Sequence, residues 1–114
     1  MRKFILLLLI CLSACHPFQK FDSTKWKNSC IDGFCNDREP MVNDLIQNHL
    51  NVGLSKKEII DFLGQPNYID EKKNTYSYEI FIAYCGIDPC EINYLEIEFK
   101  GSKIIKYSVK HIEN

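Results

Sequence analysis

Thr75-Tyr76-Ser77-Tyr78-Glu79-Ile80-Phe81-Ile82-Ala83-Tyr84 is the stretch on which the fold turns. Its period is two. Tyr76, Tyr78, Ile80, Ile82 and Tyr84 fall on one face, and Thr75, Ser77, Glu79, Phe81 and Ala83 on the other. Alternation of that length, in aromatic and β-branched residues, predicts a strand with one face turned to a core. The pattern recurs twice downstream. Leu95, Ile97 and Phe99 alternate with Tyr94, Glu96 and Glu98, Lys100-Gly101-Ser102 supplies a turn, and Ile105, Tyr107 and Val109 alternate with Ile104, Lys106 and Ser108. Three antiparallel strands, each with one apolar face, require a cover.

Upstream the period changes to that of a helix. From Pro40, a residue favoured in a first turn, Met41, Val42, Leu45, Ile46, His49 and Leu50 recur at i, i+3 and i+4. Asn36 or Asp37 is the candidate cap, and His49 sits on the edge of the apolar face. Ser55-Lys56-Lys57-Glu58 then reads as a capping box, in which the serine hydroxyl accepts the third helical N–H and the glutamate bonds back. Ile59, Ile60, Phe62 and Leu63 form the second apolar face, Gly64 can adopt the left-handed stop, and Pro66 forbids continuation. The expected fold class is α+β: two N-terminal helices packed on a three-stranded antiparallel sheet, an ααβββ two-layer sandwich.

The chain of 114 residues is 46% hydrophobic and 25% charged, a globular composition with room for one domain. Phe4 to Leu12 is almost unbroken hydrocarbon behind Arg2 and Lys3, the pattern of a targeting segment. It falls short of the roughly 20 apolar residues that span a membrane. Leu12-Ser13-Ala14-Cys15 resembles the bacterial lipobox, which implies cleavage before Cys15 and lipidation of that residue. The expected organisation is a lipoprotein signal peptide over 1–14, a lipidated N-terminus and tether over 15–37, and the domain over 38–114. His16 follows the lipidated cysteine, where inner-membrane retention is associated with Asp, so the lipobox implies an outer-membrane anchor with palmitate-type acyl chains and a periplasmic domain. At about 0.8 kcal/mol per buried methylene, such chains anchor firmly. With Arg2 and Lys3 removed, 12 basic residues stand against 15 acidic ones, a net charge of −3 that argues against nucleic acid as a partner. Phe18, Phe21, Trp26 and Phe34 make the tether more aromatic than a plain linker needs, so part of it is expected to fold back onto the domain or a partner.

Setting aside Cys11 and Cys15 leaves Cys30, Cys35, Cys85 and Cys90, an even number suited to an oxidising compartment. Four cysteines allow three pairings. The repeated C-x4-C spacing makes Cys30–Cys35 with Cys85–Cys90 the simplest, each a six-residue ring carrying a turn residue: Gly33 in one, Gly86 and Pro89 in the other. A ring that small gains about 2 kcal/mol from chain entropy. The competing four-cysteine zinc site generally uses shorter gaps and reduced thiols, so no metal is expected.

The stretch Gly53-Leu54-Ser55-Lys56-Lys57-Glu58-Ile59-Ile60-Asp61-Phe62-Leu63-Gly64-Gln65-Pro66 resembles the G-[ML]-[ST]-x-x-[EQ]-[VI]-x-x-[LF]-[LF]-G-x-P signature of the SmpA/OmlA (BamE-like) outer-membrane lipoproteins. The resemblance covers residues 38–110 and includes the order lipobox, helix pair, three strands. It implies a β-lactamase-inhibitor-protein-like ααβββ fold and a place among envelope lipoproteins, one of which is an accessory of the machine that inserts β-barrels. The Cys30/Cys35 ring and Arg38-Glu39-Pro40-Met41 stand where that accessory carries a Gln-Gly-Asn stretch, so the likeness is to the wider family and not to that factor. The matched positions are structural and carry over no partner-binding residue.

Chemistry has little foothold. Glu96 and Glu98 lie about 6.6 to 6.8 Å apart along one strand face, near the spacing of an inverting glycosidase pair. Two neighbouring exposed carboxylates have no cleft to drive their pKa values apart, and Lys106 and Lys110 lie opposite. His16, His49 and His111 are scattered, and no nucleophile stands with a base. The expectation is therefore no enzyme, no cofactor and no small-molecule substrate. What remains is protein binding, through the outer sheet face with Phe81 and Tyr94, or through the ring Cys85-Gly86-Ile87-Asp88-Pro89-Cys90 with Ile87 as apolar anchor and Asp88 as polar one. Two functions follow: an outer-membrane lipoprotein that binds an envelope protein in assembly or maintenance, or an inhibitor or immunity protein against a hydrolase.

Overall fold

The capping box forms as its spacing requires. Ser55 Oγ accepts the Glu58 N–H at 3.1 Å, and Glu58 Oε1 accepts the Ser55 N–H at 3.1 Å. The helix it opens runs over Lys56–Leu63 and ends at Gly64, whose φ of +77° suits a residue without Cβ. This is a computed structural model, and it describes residues 19–31, 34–35 and 37–113. Among the described residues, three short helices precede or flank the sheet: α1 (Ser23–Lys27), α2 (Glu39–Asp44), continued by a π-helical turn over Leu45–His49, and α3 (Lys56–Leu63). The strands are β1 (Cys30–Ile31), β2 (Phe34–Cys35), β3 (Tyr68–Asp70), β4 (Thr75–Cys85), β5 (Asp88–Lys100) and β6 (Lys103–Glu113). β1 and β2 pair as a small ribbon, and β3-β4-β5-β6 form one antiparallel sheet in that order.

The expected ααβββ sandwich is thus corrected: the sheet has four strands, not three, and among the described residues three short helices accompany it, not two N-terminal ones. The added strand has a plain cause. Tyr68, Ile69 and Asp70 are all exposed and show no alternation, but the turn after them brings them back onto β4, with Tyr68 opposite Ser77 and Asp70 opposite Thr75. In that turn the Asp70 carboxylate accepts the Lys73 N–H at 3.1 Å, and Asn74 adopts φ +55°. Asn74 Nδ2 donates to the carbonyls of Phe99 and Gly101, each at 3.0 Å, which pins the β3–β4 turn to the β5–β6 turn.

The first helix is also corrected. The spacing from Pro40 to Leu50 does not make one continuous α-helix, because after Asp44 it widens to π geometry, with the Leu50 N–H bonded to Leu45 O at 2.9 Å. The Asp44 carboxylate accepts from Asn48 Nδ2 at 2.7 Å and meets His49 Nε2 at 3.2 Å, four and five residues ahead, which fits the wider turn. Its N-cap is Arg38, without a side-chain cap bond, in place of Asp37; Asn36 lies outside the described residues.

Three register shifts interrupt the ladders; the one at Ala83/Tyr84 lies beside the hairpin tip, and the other two redirect the faces that meet the core. Ile80 is the extra residue between the pairs Glu79–Tyr94 and Phe81–Asn93, so Tyr78 and Ile80 are buried, Phe81 packs against the core, and Ile82 leaves it. Ile105 is the extra residue between the β5–β6 pairs at Glu98 and Phe99, which puts Ile104 inside at 1% exposure and leaves Ile105 at 41%. The core joins Met41, Leu45, Leu50, Ile59 and Leu63 to Tyr78, Leu95, Ile97 and Phe99. Trp26, from the stretch read as tether, is fully buried in it.

Arg38 locks this stretch in place. It is 3% exposed; its Nε donates to Trp26 O and Ser29 Oγ, and its Nη1 to Asn67 Oδ1 and the Glu79 carbonyl at the bulge. Burial lowers its pKa to about 10, partly offset by Tyr78 and the Glu79 carboxylate.

Candidate functional site

The four cysteines pair as Cys30–Cys35 and Cys85–Cys90, the simplest of the three arrangements. Each staple holds a different piece. Cys30 and Cys35 are opposite one another in the β1–β2 ribbon, with Cys35 buried beside Glu79 of β4. Cys85 and Cys90 close the tip of the β4–β5 hairpin, where Gly86 takes φ +80°. Ile87 is 94% exposed at that tip, and Asp88 pairs with Cys85 beside it.

The structure separates the residues expected to meet a partner. Ile87 and Asp88 stay together at the stapled tip. Phe81 is turned inward by the Ile80 bulge and packs against the core, so it does not share the outer face with Tyr94. Tyr94 lies on the open face of the sheet, its ring 5.5 Å from that of Tyr68 in an edge-on contact of 78°. Cys15 and His16 lie outside the described residues.

Tyr94 and Tyr68 form one wall of a groove of about 480 Å³ across the open face. Thr75, Ser77 and Glu96 lie across it, and Lys110 and Ile112 line it from β6. The register explains this grouping: Ser77 lies between Tyr68 and Glu96, and Tyr94 lies opposite Lys110. Tyr68 is positioned from behind, because its hydroxyl donates to Glu79 Oε2 at 3.3 Å and Glu79 is itself 6% exposed. Burial of that hydroxyl, followed by the Glu79 charge, pushes the Tyr68 pKa up to about 12. Sequence reasoning found Tyr94 and Glu96 on one face but missed the groove, since β3 supplies Tyr68 and has no periodicity of its own.

The carboxylate pair weighed for catalysis is divided by its surroundings. Glu98 Oε1 lies 3.5 Å from Lys106 Nζ at the surface, whereas Glu96 faces the groove. His49 is engaged with Asp44, and its ring lies 5.1 Å from that of Phe21 at a tilt of 52°. His111 sits between Asn93, Glu91 and Glu113 at the far end of β5 and β6. Among the described residues no group of three or more His, Cys, Asp or Glu side chains is gathered to hold a metal, and no helix is long and apolar enough to cross a membrane. No protein-family model matches the sequence, and no curated protein is significantly similar to it.

Proposed function

We propose that the chain is a non-catalytic outer-membrane lipoprotein, acylated at Cys15 with its domain in the periplasm, that binds an envelope protein as an accessory in outer-membrane assembly or maintenance. One observation carries the binding reading: Ile87, 94% exposed, is presented at a hairpin tip closed by the Cys85–Cys90 disulfide. An apolar side chain held out in water on a closed ring loses little conformational freedom when it enters a pocket, so most of its burial counts toward affinity. The lipobox likeness at Leu12-Ser13-Ala14-Cys15 supports the anchor. The likeness of Gly53–Pro66 to the SmpA/OmlA signature supports the compartment and the class of partner.

Crosslinking of the full-length protein in its own membrane, followed by identification of the attached protein, tests this reading. Recovery of an outer-membrane assembly or maintenance protein, lost with Ile87→Ala, is the expected result. Incorporation of labelled palmitate that persists in Cys15→Ser would refute the anchor.

The same tip favours a second reading, inhibition of a hydrolase, because a closed, protruding loop with an apolar apex suits insertion into an active-site cleft. Titration of periplasmic and foreign hydrolases with the protein decides it: stoichiometric loss of one activity, relieved by Ile87→Ala, would move the assignment there.

A further inference from the structure

We infer that the groove on the open face of the sheet is a binding site for a neutral oligosaccharide, separate from the stapled tip. Its volume of about 480 Å³ lies within the range of small-ligand sites. The polar side chains that converge on it are uncommitted: among the described residues, the Thr75 and Ser77 hydroxyls, the Glu96 carboxylate and the Lys110 ammonium make no hydrogen bond or ion pair within the domain. The other β5 glutamates, Glu91 and Glu98, have His111 and Lys106 beside them, so Glu96 is left without a partner in a strand where partners were available.

The chemistry of that set selects the ligand class. Two hydroxyls give and accept hydrogen bonds, a carboxylate only accepts, and an ammonium only donates, which together match the mixed donors and acceptors of sugar hydroxyls. Tyr68 and Tyr94 add aromatic surface for the C–H faces of a pyranose ring, and their edge-on contact and the Glu79 bond to Tyr68 hold that wall in place before a ligand arrives. The charged lining balances, with Asp70 and Glu96 against Lys73 and Lys110, so the groove favours a ligand without net charge over an anion or a cation. Asp70 is committed to its own turn, which leaves Glu96 without a second free carboxylate across the groove. The site is therefore one of binding and not of glycoside hydrolysis.

The test is titration of the full-length lipidated protein, in a zwitterionic detergent without a sugar headgroup, with cellotriose, chitotriose, maltotriose and, as comparator, trialanine, followed by calorimetry. Saturable binding of at least one trisaccharide is expected, weakened roughly ten-fold or more by Tyr94→Ala, a loss of about 1.4 kcal/mol. Glu96→Gln, which keeps the shape of a side chain without internal partners, is expected to weaken it several-fold with no change in thermal unfolding. Ile87→Ala is expected to leave it unchanged, which separates this site from the tip. No saturation by any of the three sugars up to about 10 mM, about ten times a 1 mM Kd, would overturn the inference. So would saturation by trialanine alone, or sugar binding that survives both Tyr94→Ala and Glu96→Gln.

Discussion

The Arg38 guanidinium carbon stands 4.7 Å from the centre of the Trp26 ring, and the same side chain donates to the Trp26 carbonyl. One buried cation thus holds both the face of the only tryptophan and the end of the helix that carries it, while its Nη1 reaches across to the β4 bulge at Glu79. Replacing Arg38 by Met removes the donor to the buried Ser29 hydroxyl and the Glu79 carbonyl, while Trp26 O keeps the Ser29 donors and Asn67 Oδ1 keeps the Glu79 N–H. The expected cost is about 3 kcal/mol, read as a lower urea midpoint at unchanged slope. Lys in that place recovers less than half, because one ammonium cannot reproduce the planar fork that spans these partners.

Asp44 predicts an acid limit to stability. Its carboxyl is held below the ordinary value of 3.8, chiefly by the Phe21 backbone N–H at 2.8 Å and then by Asn48, with His49 adding to the same effect. A depressed folded-state pKa contributes stability that is present above the unfolded value and is lost as pH falls through the folded one. Thermal unfolding followed from about pH 6 to about pH 2 is therefore expected to fall more steeply below about pH 4 for the wild type than for Asp44→Asn. The Phe21 amide is expected to exchange with solvent faster in the variant at neutral pH.

What could be read in advance depended on how local its cause was. The Ser55–Glu58 box, the Gly64 stop and both six-residue cysteine rings are set by residues within a few positions of one another, and all form where spacing places them. The sheet faces were legible only as far as the first bulge. Ile80 and Ile105 each add one residue to a strand, and a slip of one residue exchanges the faces beyond it, which is why Phe81 turns inward and Ile105 outward. No composition cue marks either position. The groove was further from view still, because Tyr68 reaches Tyr94 only through a strand of three residues that owes its existence to pairing with β4. Trp26 lay between: the aromatic content of its stretch announced folding back onto the domain or a partner, but its partners Tyr78 and Phe21 are defined by packing.

Trp26 gives a direct test of where the packed domain begins. Trp26→Ala removes a fully buried indole and is expected to cost about 3–5 kcal/mol. Trp26→Phe is expected to stay within about 1.5 kcal/mol of wild type, since a smaller ring fits the same space and the Nε1 it removes is buried without a hydrogen-bond partner. Circular dichroism during denaturation reads both variants. A chain cut before Arg38 would lose the indole altogether, and is expected to unfold at least as readily as Trp26→Ala.

The two disulfides are equal in ring size and unequal in consequence. Chain entropy assigns each about 2 kcal/mol. Cys35, however, is 2% exposed beside the Glu79 carboxylate, and the ribbon it closes leads directly into Arg38, so Cys30→Ser with Cys35→Ser also buries a hydroxyl in a packed polar cluster. That pair of changes is expected to cost more than the entropic value, about 3–4 kcal/mol. Cys85→Ser with Cys90→Ser frees only the tip beyond Tyr84, where Gly86, Ile87 and Asp88 are exposed, and is expected to cost about 2 kcal/mol or less. Its larger effect falls on binding, because the freed loop must be ordered again at the partner's surface. Unfolding midpoints and crosslinking from position 87, measured on both double variants, separate the two roles: the ribbon variant is expected to be less stable yet still crosslinked wherever it is folded, and the tip variant stable with its adduct diminished. Equal loss of stability in both would show that the hairpin tip is as much a part of the cooperative fold as the ribbon.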